Sequence, residues 1–409
     1  PIPQSSDQES YVLGCLKRIG MEMPKRNNVF MRDLRSFVRK FLRSHSQVGA
    51  AFEPLPADYD YGLETWLAKT HYSEARKAEI RLAVKEKLTM SDFECKSFVK
   101  IEHVEDLKHD RIINTRSDAF KAYSGPLFHA IEERVFTSPY FIKKVPMDQR
   151  WKFLSDRLTG ANRMYAVSDY SSFEANITKE MMDACEFQLY AHMLKNHPQF
   201  GKIYGVLREA LRGTQILKSK FGAVKTTACR MSGEMCTSLG NGFTNLMVNL
   251  FVFSQFGLTV DGVFEGDDGL MSFCKGKGRL PTKADYGRLG TIMKLRIVEN
   301  LSDAEFCGMY AHKDVLDNIG DVGYVLSMFG WTTSNAKAGG KVMMKKLLRA
   351  KAYSLTYEMP RCPVLRSLAK YALRVTADVT PRFDVNKHGQ LKWWDQQVSE
   401  LFTRPLPDD

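Results

Sequence analysis

Between Val260 and Cys274 the chain reads VDGVFEGDDGLMSFC, two short apolar runs on either side of Glu265-Gly266-Asp267-Asp268. Runs of that length around a Gly/Asp segment predict a β-hairpin with its turn at those four residues. The hairpin presents both aspartates at a strand end. A second apolar strand, Tyr165-Ala166-Val167-Ser168, runs directly into Asp169, and pairing with the hairpin would bring that carboxylate alongside the other two. Carboxylate oxygens of this kind suit Mg²⁺, which binds through a few carboxylates together with substrate phosphates. Two such ions about 4 Å apart can activate a hydroxyl and stabilise a leaving pyrophosphate. Taken alone, Gly-Asp-Asp is ordinary turn chemistry, because Gly and Asp are favoured turn residues. The surrounding residues decide whether it is more.

With 409 residues, 44% of them hydrophobic, the chain can bury a substantial core arranged in several lobes. Its formal charge of +12 favours a polyanionic partner, since neutralising phosphates releases condensed counterions. The eight cysteines stand singly, with no CxxC pair and no zinc-finger spacing, and read as buried free thiols of a reducing compartment. On that reading the sequons at Asn176 and Asn300 are accidental. No signal-peptide pattern opens the chain, and the apolar run Leu246–Leu258 falls short of the roughly 20 residues a membrane helix needs. The abrupt start at Pro1 suggests a piece of a longer polyprotein or replicase.

Periodicity predicts an amphipathic helix over Met31–Arg43, with Leu34, Phe37, Val38, Phe41 and Leu42 on one face and Arg32, Arg35, Arg39 and Arg43 off it. Lys96–Arg116 alternates apolar and basic residues and predicts strands or loops. A strand from Arg163 is followed by a helix to about Asn196, and a Gly/Ser loop at Ser232–Thr237 leads into an apolar helix ending near Gly257. Helix is expected over Thr282–Met293, then strands to Val298 and around Ala304–Met309. In Lys341–Leu355, Met344, Leu347, Leu348 and Leu355 form the expected core stripe beside Lys341, Lys345 and Arg349.

Taken in order, these segments resemble the motifs of viral RNA-dependent RNA polymerases. Asp169-Tyr-Ser-Ser-Phe-Glu174 resembles the first palm motif. Ser232-Gly233-Glu-Met-Cys-Thr237-Ser-Leu-Gly-Asn241 matches the second, Ser-Gly-x-x-x-Thr-x-x-x-Asn, in full. Gly266-Asp267-Asp268 matches the third, Lys294 fits the fourth, and Glu305-Phe-Cys-Gly308 is similar to the element after it. Upstream, Lys96, Lys100, Lys108, Arg111 and Arg116 resemble the basic fingers motif. Thr237-Ser-Leu-Gly-Asn241, Lys351-Ala-Tyr-Ser-Leu and Pro360-Arg-Cys-Pro363 give a tombusvirus-like or nodavirus-like flavour. One departure stands out: Glu174 occupies a position where the family usually carries Asp, moving the carboxylate by about one bond length.

The resemblance implies an α+β right-hand polymerase. Fingers and N-terminal region take 1–160, palm 161–198 and 229–312, a fingers insertion 199–228, and a mainly helical thumb 313–409. Asp169, Asp267 and Asp268 are its metal ligands and catalytic residues, with Lys294 as general acid. Lys100, Arg111 and Arg116 are expected at the triphosphate, and Glu174, Ser232, Gly233, Thr237 and Asn241 around the ribose. Mg²⁺, two ions with Mn²⁺ as a substitute, is the implied cofactor. RNA template and product, ribonucleoside triphosphates and other viral replicase domains are the implied partners, at membrane-associated complexes in the host cytoplasm. The basic helix around Lys341–Lys351 would grip RNA backbone; of Trp393 and Trp394, at least one is expected to pack in the core, and stacking on a base or priming nucleotide is the alternative role. Two alternatives stay open: an inert RNA-binding scaffold with a polymerase fold, and a reverse transcriptase. No Walker A pattern occurs, which leaves a helicase or ATPase unsupported.

Overall fold

The computed structural model describes residues 7–45, 50–102, 109–311, 317–332 and 339–381. Lys108, Trp393 and Trp394 lie outside them. Among the described residues eight strands form two sheets: β1 (Cys95–Val99), β2 (Ile112–Arg116), β3 (Arg163–Tyr170), β4 (Gln215–Ser219), β5 (Gly222–Thr226), β6 (Val260–Glu265), β7 (Asp268–Cys274) and β8 (Met293–Val298). The first sheet runs β2-β1-β4-β5 and the second β6-β7-β3-β8. The mixture of helices and largely antiparallel sheet is the α+β class expected.

Two compact units divide the chain. One comprises 1–69, 78–144 and 162–297, the other 70–77, 145–161 and 298–409. Both sheets belong to the first, except for the last residue of β8. Its core is gathered on the helix Thr237–Ser254, which is apolar nearly all round and buries Leu239, Phe243, Leu246, Met247, Phe251 and Phe253. A helix without a polar face has to be enclosed on every side. The amphipathic helix appears as Asn28–His45, burying Phe30, Met31, Leu34, Val38, Phe41 and Leu42 while Arg32, Arg39 and Arg43 stay exposed.

Three elements differ from expectation. The helix after β3 is broken into Phe173–Asn176, Lys179–Ala184 and Glu186–Leu194. Thr178 caps the second piece by accepting from the Met181 N–H, so the chain restarts there rather than continuing. The helix expected over Thr282–Met293 ends at Gly287, with Gly290 left-handed at φ +75°. The strand expected at Ala304–Met309 contracts to one bridge, Phe306 with Met309, because Cys307 (φ +53°) and Gly308 (φ +72°) turn the chain back.

In the second unit the helices Val322–Met328, Gly340–Glu358 and Pro363–Val375 pack around Leu355, Met359, Cys362, Leu365 and Ala369. Of the expected stripe only Leu355 is fully buried; Met344 is exposed and Leu347 and Leu348 are half-buried. The N-terminal half of Gly340–Glu358 is tied by polar contacts instead. Arg349 donates to the Leu373 carbonyl at 2.7 Å, and Lys345 meets Asp378 at 2.9 Å, both around the end of Pro363–Val375. Cations at a helix C-terminus satisfy carbonyls that lack partners in the helix.

Candidate active site

The hairpin forms as the sequence requires. Glu265 pairs with Asp268, leaving Gly266 and Asp267 as the two central residues of the turn. Gly266 takes φ +57° while Asp267 stays at negative φ, the pattern of a two-residue II′ turn. β7 pairs antiparallel with β3 up to Ser168 opposite Gly269, so the next step of the same register sets Asp169 across from Asp268. Strand alternation buries Ser168 and Tyr170 and turns Asp169 outward, where its carboxylate lies 3.6 Å from Lys294 Nζ.

Both carboxylate-bearing turns are braced by asparagines that motif reading passes over. Asn245 Nδ2 donates to the carbonyls of Gly266 (3.2 Å) and Asp268 (3.0 Å). Asn249 donates to the Asn245 Oδ1 at 2.7 Å, and the Tyr286 hydroxyl donates to Asn249 Oδ1 at 2.7 Å. On the other side, Asn176 donates to the carbonyls of Ser171 and Ser172, each at 2.9 Å, and accepts from the Ile292 N–H at 2.7 Å. Ser172 sits in the left-handed region at φ +49°, which Asn176 helps to hold. Asn176 is therefore structural and, at 1% exposure, closed to modification in the folded chain. One signal was available for the first set: Asn241, Asn245 and Asn249 fall at i, i+4 and i+8 in an otherwise apolar helix, on one line.

The ribose candidates converge in part. Ser232 Oγ donates to Glu174 Oε1 at 2.7 Å, and Arg18 approaches Glu174 Oε2 at 3.5 Å. The longer side chain thus spans to the Ser232 hydroxyl. Gly233 takes φ +135°, and a Cβ there would stand 2.8 Å from the Asn114 carbonyl oxygen, so the loop can lie against β2 only with glycine. The Thr237 hydroxyl caps the same loop, with Gly233 N 3.4 Å and Met231 O 3.3 Å away. Asn241 is turned toward Arg230, whose Nε donates to its Oδ1 at 2.8 Å.

Arg230 lies outside every motif in the sequence. Its guanidinium is wholly buried and meets Glu186, Glu234 and the Cys236 sulfur as well as Asn241. Glu234 in turn pairs with Arg116 at 2.5 Å. Arg116 departs from its expected place at the triphosphate: it is 6% exposed and donates also to the Phe93 carbonyl and Gln215. The period of two explains why. Ile112, Asn114 and Arg116 occupy the buried face of β2. Arg111 falls just before the strand and stays half-exposed, sharing Glu102 (3.5 Å) with Lys100 (2.6 Å). Lys96 is exposed.

Among the described residues no three His, Cys, Asp or Glu side chains stand gathered as a ready-made metal cage. The donor chemistry nonetheless fits a divalent cation. Asp267 is exposed at the tip of the turn, and its proton affinity is raised by desolvation first, then by the negative charge of Glu174 and Asp169, with a backbone hydrogen bond and Arg111 opposing. Carboxylates that repel one another in a partly desolvated site gain from a bound cation. A family model described as viral RNA dependent RNA polymerase matches residues 59–400. A comparison with curated proteins finds no match.

Proposed function

The chain belongs to the viral RNA-dependent RNA polymerase family, a family of nucleotidyltransferases, and we propose that it extends RNA by template-directed ribonucleotide transfer at the Asp169/Asp267/Asp268 site, for viral genome replication and transcription. The observation carrying this reading is the register of β3, β6 and β7, which sets Asp169 at the level of Asp268, beside a turn tipped by Asp267. The sheet β6-β7-β3-β8 then serves as palm, the β2-β1-β4-β5 sheet with its helices as fingers, and the helices of 340–375 as thumb.

Asp169 and Asp267 would hold two divalent cations, Mg²⁺ with Mn²⁺ as substitute, assisted by Asp268; such ions raise the nucleophilicity of a 3′-hydroxyl and offset charge on the departing pyrophosphate. Arg111 and Lys100 bind the triphosphate, exchanging Glu102 for phosphate oxygens, the stronger multidentate acceptors. Lys294, beside Asp169, delivers the proton that the leaving pyrophosphate takes up. Glu174, Ser232 and Asn241 read the ribose 2′-hydroxyl, the group that separates RNA from DNA substrates. RNA template and product occupy the basic faces that a +12 chain offers. Recruitment to membrane-associated complexes in the host cytoplasm falls to other replicase domains; no described helix is long and apolar enough to cross a membrane.

The test is incorporation of labelled ribonucleotides on a short RNA template with Mg²⁺ or Mn²⁺, beside Asp267→Ala and beside deoxyribonucleotides. Template-dependent product from the wild type alone, made from ribonucleotides, is expected. Equal product from Asp267→Ala would remove this site from the reaction.

A further inference from the structure

Asn241 presents one particular edge of its amide to Arg230. An asparagine amide has an acceptor oxygen and a donor nitrogen on one planar group, and a half-turn about its last bond exchanges them. Here the choice is made by a neighbour that can only donate. Arg230 Nε points at the amide from 2.8 Å, and a guanidinium has no acceptor, so the facing atom has to be Oδ1. The Nδ2 donor is thereby turned away from Arg230.

Arg230 is itself held without freedom. It is fully buried, and its remaining N–H groups are directed at Glu186, Glu234 and Cys236. Tyr190 donates to the same Glu186 oxygen at 3.1 Å, and Arg116 fixes Glu234 from the opposite side. Gly240, next to Asn241, is where the helix comes closest to this cluster: a Cβ there would collide with the Glu186 carboxylate and the Arg230 guanidinium. The backbone N–H of Arg230 also donates to the Glu174 carbonyl at 3.2 Å. One residue therefore fixes both Asn241, through its side chain, and the backbone of Glu174, through its main chain. The Glu174 carboxylate accepts from Ser232 on one oxygen and keeps acceptor capacity to spare.

We propose that Arg230 is the positioning residue for sugar selection. By consuming Asn241 Oδ1 it presents a fixed amide donor, while Glu174 presents a fixed acceptor. The two together match a 2′-hydroxyl, which accepts from Asn241 Nδ2 and donates to Glu174. A 2′-hydrogen satisfies neither, and a site whose polar groups are left unpaired rejects the analogue that leaves them so. This rests on the reading that Asn241 faces the ribose, and the experiment separates the two claims.

The measurement is the ratio of kcat/KM for a ribonucleotide to that for its deoxy counterpart, on the same primed RNA template, for wild type, Arg230→Lys, Asn241→Ala, Asn241→Asp and the double variant Arg230→Lys/Asn241→Ala. Arg230→Lys keeps the buried positive charge but lacks the planar fork that aims at Oδ1. It should lower the ratio about tenfold or more, through the ribonucleotide KM more than through kcat, on the scale of one lost buried hydrogen bond. In the Asn241→Ala background the same change should leave the ratio unmoved. Asn241→Asp keeps an oxygen for Arg230 but loses the donor, so it should fold and lose selection. An Arg230→Lys enzyme that is slower overall yet discriminates like wild type would overturn the proposal and leave Arg230 a structural residue. If Arg230→Lys does not fold, Asn241→Asp decides, and unchanged selection there overturns it. Unchanged selection in Asn241→Ala would instead refute the underlying ribose reading.

Discussion

Asn245 offers the sharpest test of how this site is held, because its effects on stability and on turnover can be worked from the same two hydrogen bonds. Its amide nitrogen donates to the Gly266 and Asp268 carbonyls, and its oxygen receives the Asn249 amide. Asn245→Ala deletes two bonds to the turn, each contributing about 1 kcal/mol net, and leaves buried polar atoms short of a partner at roughly 1–3 kcal/mol more. The expected loss is about 3–5 kcal/mol. At roughly 2–4 °C per kcal/mol for a domain of a few hundred residues, thermal unfolding should shift down by about 6–20 °C. Asn245→Asp keeps the volume but faces two carbonyl oxygens with a carboxylate, so it should be worse than alanine despite its closer shape. The turn carries Asp267, and a displacement of about 1 Å in a reacting constellation costs on the order of 100-fold. The kcat for elongation should therefore fall at least tenfold in both variants at temperatures where they remain folded, with RNA affinity little changed. Calorimetry and single-nucleotide extension read the two effects separately. An alanine variant that loses stability but keeps wild-type kcat would refute the claim that the brace serves the carboxylates. An aspartate variant more stable than the alanine one would refute the hydrogen-bond assignment itself.

Glu234→Gln removes the charge shared by Arg116 and Arg230, both buried, and should cost about 3–5 kcal/mol because Arg116 loses its counter-charge and Arg230 keeps only Glu186, read by urea denaturation. Glu132 is held up to about 7 from an ordinary 4.5, by desolvation first, with Glu265 adding to it and Lys143 and Lys144 opposing. The folded state thus keeps a proton that the unfolded chain releases, so this contribution to stability declines as pH rises from about 4.5 to about 7. Glu132→Gln should flatten that decline and be more stable than wild type at pH 8, measured by thermal unfolding across a pH series. Gly233→Ala meets both a left-handed backbone and the Asn114 carbonyl, and should lose more than the roughly 1–3 kcal/mol of backbone strain alone, with elongation falling alongside stability.

How far the sequence discloses this site depends on what kind of residue does the work. Asp267 was legible because turn chemistry and strand alternation are local: Gly266 needs its positive φ, and the apolar runs on either side can only pair. Ser232 and Glu174 were legible as candidates through spacing, though not their mutual hydrogen bond, which joins positions 58 residues apart. Arg116 shows the limit. Its proximity in sequence to Arg111 suggests one phosphate-binding group, but five residues along a strand reverse the face, and the buried side of β2 meets Glu234 from a loop 118 residues away. Arg230 is invisible for the same reason, since a lone arginine between cysteine and methionine gives no sign of Glu186, 44 residues away, or of the burial it shares with Glu234, four residues on. The break in the helix after β3 is hidden differently: Thr178 caps the new helix locally, while Asn176 just before it is held by the Ile292 N–H, 116 residues away.

The division of polar groups around the site has its own physical logic. The turns that carry Asp169 and Asp267 are braced by neutral amides, Asn176 and Asn245, whereas the loop from Arg230 to Asn241 is held by buried ion pairs. A lysine or arginine hydrogen-bonded to the turn carbonyls would fix the backbone equally well. It would also add a buried positive charge to that of the exposed Lys294, already 3.6 Å from Asp169, and further weaken the carboxylates' hold on any cation, since at the effective dielectric of such a site a charge about 4 Å away acts with roughly 4 kcal/mol. An amide supplies direction without charge. At the proposed ribose side the requirement is reversed: what would have to be fixed there is which end of an amide faces outward. A permanently protonated donor settles that orientation in a way no hydroxyl or amide can, because those groups are able to reverse their own roles. The cost is a buried charge, offset by Glu186 and Glu234, and this explains why two carboxylates with no part in the chemistry lie so near it.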